Sequence, residues 1–292
     1  MIPLVPEWFI SAFAAATVFV VMFHLGLGLL PREFVWVWRR PRLMAKALFA
    51  VLVAVPAIAL VVARSLDLPR PAEVGIVLMA IAPGAPIALQ RSLGAGGERS
   101  FAPGLQVTVA LLAALPMPAS IALLDRLYDA TASASPWDIV RQVAIVQLLP
   151  LALGVATARL LPRLAARAAP LVDRAWKVLL LVLAVLAIVG FWRVMVAAGP
   201  RVALAASLTT LGALAVGHWL GGPDPGTRTA VAITSAARNP GLALLVAALN
   251  DAPAAVRATL LTYMIVAAFT VLPYALGRSR LAHHPSLRRP ET

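Results

Sequence analysis

Residues 226–250 read GTRTAVAITSAARNPGLALLVAALN, an apolar run long enough to cross a bilayer but interrupted midway by Asn239-Pro240-Gly241. Proline has no N–H to donate and clashes with the preceding turn, and the residue before it avoids helical angles. The run is therefore expected to split into two half-helices, with Asn239 as the N-cap and Pro240 at the first position of the second. Residues 72–95, AEVGIVLMAIAPGAPIALQRSLGA, carry a matching break at Pro83-Gly84-Ala85-Pro86, where Pro86 can open the second half.

Similar apolar runs fill the chain. Of 292 residues, 61% are hydrophobic and 13% charged, against about 25% charged in a soluble domain, and the mean hydropathy is +0.90. Each bilayer-spanning helix needs about 20 mostly apolar residues. Nine runs qualify: 7–30, 42–64, 72–95, 103–125, 138–161, 172–197, 200–220, 226–250 and 254–278. They are rich in Leu and Ala and do not alternate in polarity, which argues for helices over strands. The expected fold is an all-α polytopic membrane protein forming one domain over 1–292. The first run lacks a basic leading segment and is too long for a signal peptide, so it reads as a spanning helix.

The net charge of +13 would point to nucleic acid in a soluble chain. Here the excess sits in short connections between apolar runs and serves orientation in a membrane. One alternate set of connections carries Arg32, Arg39, Arg40 and Arg42, then Arg99, then Arg163, Arg167 and Arg174, then Arg278, Arg280, Arg288 and Arg289. The opposite set carries Arg70, Arg126, Arg201 and Arg257 together with Asp67, Asp129 and Asp251. The asymmetry predicts a multi-pass protein of the inner cell membrane, N-terminus outside and C-terminus in the cytoplasm. Trp8, Trp36, Trp38, Tyr128, Trp137, Trp176, Trp192 and Trp219 fall near run ends, where interfacial anchors belong. The basic tail, 279–292, is expected to lie in the cytoplasm against anionic lipid.

The two broken runs have opposite directions in this topology, and their neighbours match in order: 42–64 with 200–220, and 103–125 with 254–278. The pattern is an inverted repeat, with four spans in 7–126 and five in 138–278, whose broken helices meet near the midplane. Backbone groups freed there cannot face lipid, so they line a cavity or an interface. Two half-helix N-termini at one place carry partial positive charge and favour an anion.

At these residues the sequence resembles the bile acid:sodium symporter family. Met22-Phe23-His24-Leu25-Gly26-Leu27-Gly28-Leu29, followed by Phe34 and Pro41, is similar to its first block. Ala82-Pro83-Gly84 with Gly97 resembles its proline-glycine block, Leu149-Pro150-Leu151-Ala152-Leu153-Gly154 its middle span, and Arg238-Asn239-Pro240-Gly241-Leu242-Ala243 its crossing motif. The resemblance covers 7–278. It implies a panel and a core domain that move against each other, with the broken helices crossing in the core, and it implies that the first of ten spans is absent.

Sodium-coupled relatives carry Ser-Asn after the proline-glycine block, where this chain has Ala88-Leu89. They carry a glutamate four residues before the crossing glutamine, where it has Thr234, and hydroxyls in the next span, where it has Ala102 and Gln106. Of the family's sodium ligands only Asn239 clearly remains, so no cofactor or metal site is expected; Na+ stays possible with its family ligands largely missing, and conventional two-sodium coupling is not expected. Arg238 stands at the family's glutamine, about ten residues or roughly 15 Å inside its span. An arginine facing lipid there costs about 2.5–3.5 kcal/mol, so it should face the cavity. Two roles are open to it: a fixed cation that clamps a carboxylate or sulfonate, or a structural donor to carbonyls freed at the break. We take the first as the expectation. The expected substrate site comprises Arg238, Asn239, Pro240, Gly241, Pro83, Gly84, Pro86, Gln90, Gln106, Thr108 and Thr234. Arg91 reads as an interfacial residue, and His24 and His218 as packing or interfacial residues that could carry protons.

The expected function is secondary active transport of a small organic anion, bile-acid-like or another carboxylate or sulfonate, by alternating access. The alternatives are an efflux carrier of related fold, of auxin or arsenite type, and a non-transporting membrane receptor. The arsenite carriers rely on a cysteine, and this chain has none. No HExxH, GxSxG, paired aspartates or phosphate-binding loop is present, so neither an enzyme nor an ATP-driven pump is expected.

Overall fold

The computed structural model describes residues 7–29, 39–85, 87–112, 137, 141, 144–250 and 252–283, and all regular elements among them are helical. In chain order these are α1 (Glu7–Gly28), α2 (Pro41–Phe49), α3 (Val55–Ser65), α4 (Arg70–Ile81), α5 (Ile87–Gly94), α6 (Ala102–Leu112), α7 (Leu149–Leu160), α8 (Pro162–Leu220), α9 (Pro225–Ala236), α10 (Pro240–Leu249) and α11 (Ala254–His283). A π-helical turn, Ala50–Ala54, joins α2 to α3, and another, Ala144–Leu148, leads into α7.

Among the described residues, four stretches are long and apolar enough to cross a membrane: Pro41–Ser65, Ala198–Leu220, Pro225–Ala248 and Ala254–Ala282. The helical, apolar architecture is that of a membrane protein. The runs at 172–197 and 200–220 are joined in α8 through Gly199, whose φ of 83° and ψ of 168° break the helix. The helix reaches back to Pro162, ahead of the expected start. The last span continues to His283, so the expected tail begins as helix. Of 103–125 the described part is α6, and of 138–161 mainly the π-helical turn and α7.

The ends can be told apart by polar contacts. Arg40 meets Glu98 at 3.4 Å, the Glu98 N–H donates to the Gly226 carbonyl at 3.2 Å, and Arg278 donates to Thr229 Oγ1 and the Pro225 carbonyl. The other end of α3 and the start of α4 are tied by Arg64 to Glu73 at 3.3 Å. So α4 and α9 set out from opposite ends of the molecule. Asp224 Oδ1 caps α9, accepting from the Gly226 and Thr227 N–H groups at 2.7 and 2.9 Å.

The main core gathers α3, α4, the second half of α8, α10 and α11 around Ile76, Leu260 and Tyr263. A smaller cluster, with Met44, Val51, Phe101 and Val231, joins α2, α6 and α9. α1 packs separately against α7 and α8. Leu171, Val178, Leu181, Val189 and Trp192 of α8 are all more than half exposed, an apolar face suited to lipid. Trp137, Trp192 and Trp219 are likewise exposed, as anchors should be, but Trp176 is 4% exposed and packs inward against His24. Trp8, Trp36, Trp38 and Tyr128 lie outside the described side chains.

Lipid is as apolar as leucine, so helix association relies on close van der Waals fit. At the crossing of α1 and α7 that fit comes from Gly26 and Gly154. A Cβ on Gly26 would lie 2.3 Å from the Leu151 carbonyl oxygen, and one on Gly154 would lie 2.3 Å from that of Phe23. Replacing Gly154 by leucine should force the helices apart and lower stability by at least about 1–3 kcal/mol. A thermal unfolding midpoint unchanged in lipid nanodiscs would contradict this packing.

Candidate functional site

The site begins with backbone groups that have lost their partners. In the π-helical turn the Val55 N–H donates to the Ala50 carbonyl, one residue further than in an α-helix. In that register the Val51 carbonyl needs the N–H of residue 56, and Pro56 has none. At the end of α4 the last carbonyls are orphaned as at any helix C-terminus, and the break keeps the chain from supplying donors. Gly84 completes the break at φ 81°, a conformation that disfavours side chains.

Residues from elsewhere in the chain satisfy these carbonyls. Arg238 Nη1 donates to Val51 O at 3.0 Å and to Ala80 O at 2.9 Å, and Nη2 donates to Val51 O at 3.0 Å. The Asn239 N–H donates to Ala82 O at 2.9 Å, a direct backbone bond between the two breaks. Gln106 Nε2, from α6, donates to Ala85 O at 2.9 Å. Asn239 also caps α10, its Oδ1 accepting from the Leu242 N–H at 3.1 Å with Pro240 in the first turn, as its sequence predicts.

Arg238 is 6% exposed, and among the described residues no carboxylate pairs with it. Carbonyl dipoles satisfy its donors without cancelling its charge. Its Nε has no acceptor, and the Asn239 Nδ2 and Gln106 Oε1 are also buried without partners.

Arg238, Asn239, Pro240 and Gly241 line a cavity of about 310 Å³. Opposite them stand Val18 and Val21 of α1 and Leu180 and Leu183 of α8, with Phe269 of α11 completing an apolar wall. Ile87 and Pro240, the first residues of α5 and α10, both reach the cavity, so two half-helix N-termini are directed there. Gly241 permits the close approach, since a Cβ on it would meet Val18 Cγ2 at 2.7 Å.

The other expected site residues lie elsewhere. Pro83 and Gly84 shape the break behind the cavity wall, and Gln106 is committed to Ala85. Thr108 turns its hydroxyl back to the Gly104 carbonyl of its own helix at 2.7 Å, and Thr234 is buried in α9. Gln90 lies beside His24, their Nε2 atoms 3.3 Å apart. Pro86 falls outside the described residues. Arg91, read as interfacial, is partly buried and lines the cavity, as do Tyr263 and Trp176, which the sequence reading did not assign to it.

At the crossing the Ala80, Ala82 and Ala85 carbonyls and Asn239 Oδ1 all accept N–H groups, with a guanidinium among them, and Gln106 Oε1 is left without a partner.

A model of the Sodium Bile acid symporter family matches residues 15–199. The chain belongs to the sodium bile acid symporter family. No curated protein matches it in sequence. The matched region contains α1 from residue 15 on, the Gly26–Gly154 crossing and the first broken helix. The second broken helix, with Arg238, lies beyond it.

The Pro56–Arg238 relation within this family member can be tested by a double-mutant cycle. Arg238→Gln should destabilise by about 1–3 kcal/mol for each carbonyl left buried without a donor. Pro56→Ala restores an N–H for Val51, so in the Arg238→Gln background it should recover about 0.5–3 kcal/mol beyond additivity. Strict additivity in thermal unfolding would show that the two residues do not share that carbonyl.

Proposed function

We propose that this protein is a nine-span secondary transporter that moves a small organic anion by alternating access. Membership of a transporter family supports the general reading. The observation that carries the finer one is Arg238, a buried cation without a carboxylate partner among the described residues, in the wall of a largely apolar cavity that Arg91 also lines. A charge in a poorly solvating medium is costly unless paired, and an entering carboxylate or sulfonate supplies the missing charge. The apolar wall accepts the substrate's hydrocarbon body, and the N-termini of α5 and α10 add further attraction for the anionic head.

We further propose that α4–α5 and α9–α10 are the equivalent broken helices of an inverted repeat. Their departure from opposite ends of the molecule and the bond between their breaks support this. The crossing, tied by Arg238, Asn239 and Gln106, moves as one body, and α1 with the first half of α8 forms the surface it moves against. On this reading Arg238 stands in for a coupling sodium, so substrate binding does not require one. The protein lies in the inner cell membrane with its basic connections in the cytoplasm.

The test is thermal unfolding in nanodiscs against amphipathic carboxylates and sulfonates, including cholate and taurocholate, in sodium and in potassium buffer. A ligand at 100 times its Kd stabilises by about 2.7 kcal/mol. The expected result is stabilisation in both buffers, lost in Arg238→Gln and partly kept in Arg238→Lys. Full stabilisation of Arg238→Gln would remove the anion site from Arg238, and stabilisation in sodium alone would restore the ion.

A further inference from the structure

Beside the cavity, near the end where Arg40, Glu98 and Arg278 gather, three helices meet at His24. Its Nε2 lies 3.5 Å from Asp173 Oδ1 of α8 and 3.3 Å from Gln90 Nε2 of α5. Asp173 is held in place by Lys177 Nζ at 2.6 Å and by Trp176 Nε1 at 3.1 Å, and the Trp176 ring centroid lies 6.0 Å from that of His24. The other imidazole nitrogen, Nδ1, is buried without a partner.

These neighbours make opposite demands on one nitrogen. A carboxylate accepts only, so Asp173 requires Nε2 to carry a proton. Gln90 turns its amide nitrogen, a donor, to Nε2, and in that orientation it bonds Nε2 only when Nε2 offers a lone pair. A neutral imidazole with its proton on Nδ1 satisfies Gln90 and leaves Asp173 unserved. A doubly protonated imidazolium satisfies Asp173 as an ion pair and repels the Gln90 donor.

We propose that His24 and Asp173 form a proton-binding site that serves as the transporter's coupling-ion site. Occupancy decides whether α1, which packs against α8, is held through Gln90 to α5 and so to the crossing, or is released from it as His24 pairs with Asp173. The proposal rests on the alternating-access reading above. The proton comes from solution and adds to Nε2 with no other bond broken; 21% of the His24 side chain is exposed.

The charged groups facing His24 are Asp173, which favours the imidazolium, and Lys177, which opposes it while paired to Asp173. Against α1, the π-helical turn Ala144–Leu148 and α10 carry no ionisable side chain, and α7 carries only Arg159, in its last turn. On α5, Arg91 follows Gln90 and lines the cavity.

The absence of cysteine makes a direct test simple. Leu93→Cys on α5 and Leu171→Cys on α8, both at exposed positions, take spin labels in nanodiscs, and the label-to-label distance is followed from pH 5 to pH 9. One distance is expected at high pH and a second, longer one as pH falls. Asp173→Asn removes the group that favours the imidazolium, so it should move the midpoint at least one pH unit lower, and His24→Gln should abolish the change. A wild-type distance independent of pH, or a change that survives His24→Gln, overturns the proposal. Should His24→Gln not fold, Asp173→Asn decides, and an unmoved midpoint overturns it. The readout needs no substrate, so loss of the anion site at Arg238 and loss of this proton site are separately visible.

Discussion

The structure depends on one constraint: a polypeptide in hydrocarbon must find an internal partner for every backbone N–H and C=O group. Among the described residues, this chain breaks that rule locally at Pro56, at Pro83-Gly84 and at Asn239-Pro240, and repairs those breaks against each other. Arg238 bridges the first two, its neighbour's N–H bonds the second, and Gln106 closes the remainder. The crossing is thus a cross-linked unit of donors and acceptors more than 150 residues apart in sequence, for Arg238 to Ala80 spans 158 positions and Arg238 to Val51 spans 187. Moving one break alone would expose orphaned carbonyls to a medium that cannot solvate them, which favours motion of the unit as a whole.

Much of this was legible because proline and asparagine act locally. Asn239 and Pro240 form the cap that their order predicts, and the two breaks meet as two polar interruptions in apolar runs must. The glycines of the first and middle motifs, Gly26 and Gly154, were visible only as a resemblance. The structure gives the cause, a contact too close for any Cβ on either helix. Other features were hidden because they depend on registers and distances that a sequence does not display. Pro56 looks like an ordinary kink in 42–64 until the π-helical turn places the Val51 carbonyl opposite the missing N–H. Thr108 could have faced a cavity or its own helix, and hydrogen-bonding Gly104 is the option available without a ligand. Trp176 sits where anchors belong, yet Asp173 and His24 beside it turn it inward.

The two roles weighed for Arg238 turn out not to exclude each other. Five N–H donors in a planar fork can serve two carbonyls through three hydrogen bonds and still leave the guanidinium's charge and two donors uncommitted. Here three hydrogen bonds fix the group in the cavity wall, and Nε remains without an acceptor. Structural anchoring is what holds a functional cation still. A lysine, with a single flexible ammonium, would have to choose between the carbonyls and a ligand.

That arrangement also bears on coupling. A mobile coupling ion gives a transporter a charge that arrives and departs with the cycle, whereas a guanidinium fixed at the crossing gives a charge that never leaves. Gradient energy must then enter through some other group whose occupancy changes. Among the described residues, His24 lies between the two sides of the cavity, within reach of a carboxylate on one and an amide on the other. On the proposed reading, Arg238 in place of the ion removes one source of drive, and the proposed proton site at His24 Nε2 would supply another in the same molecule.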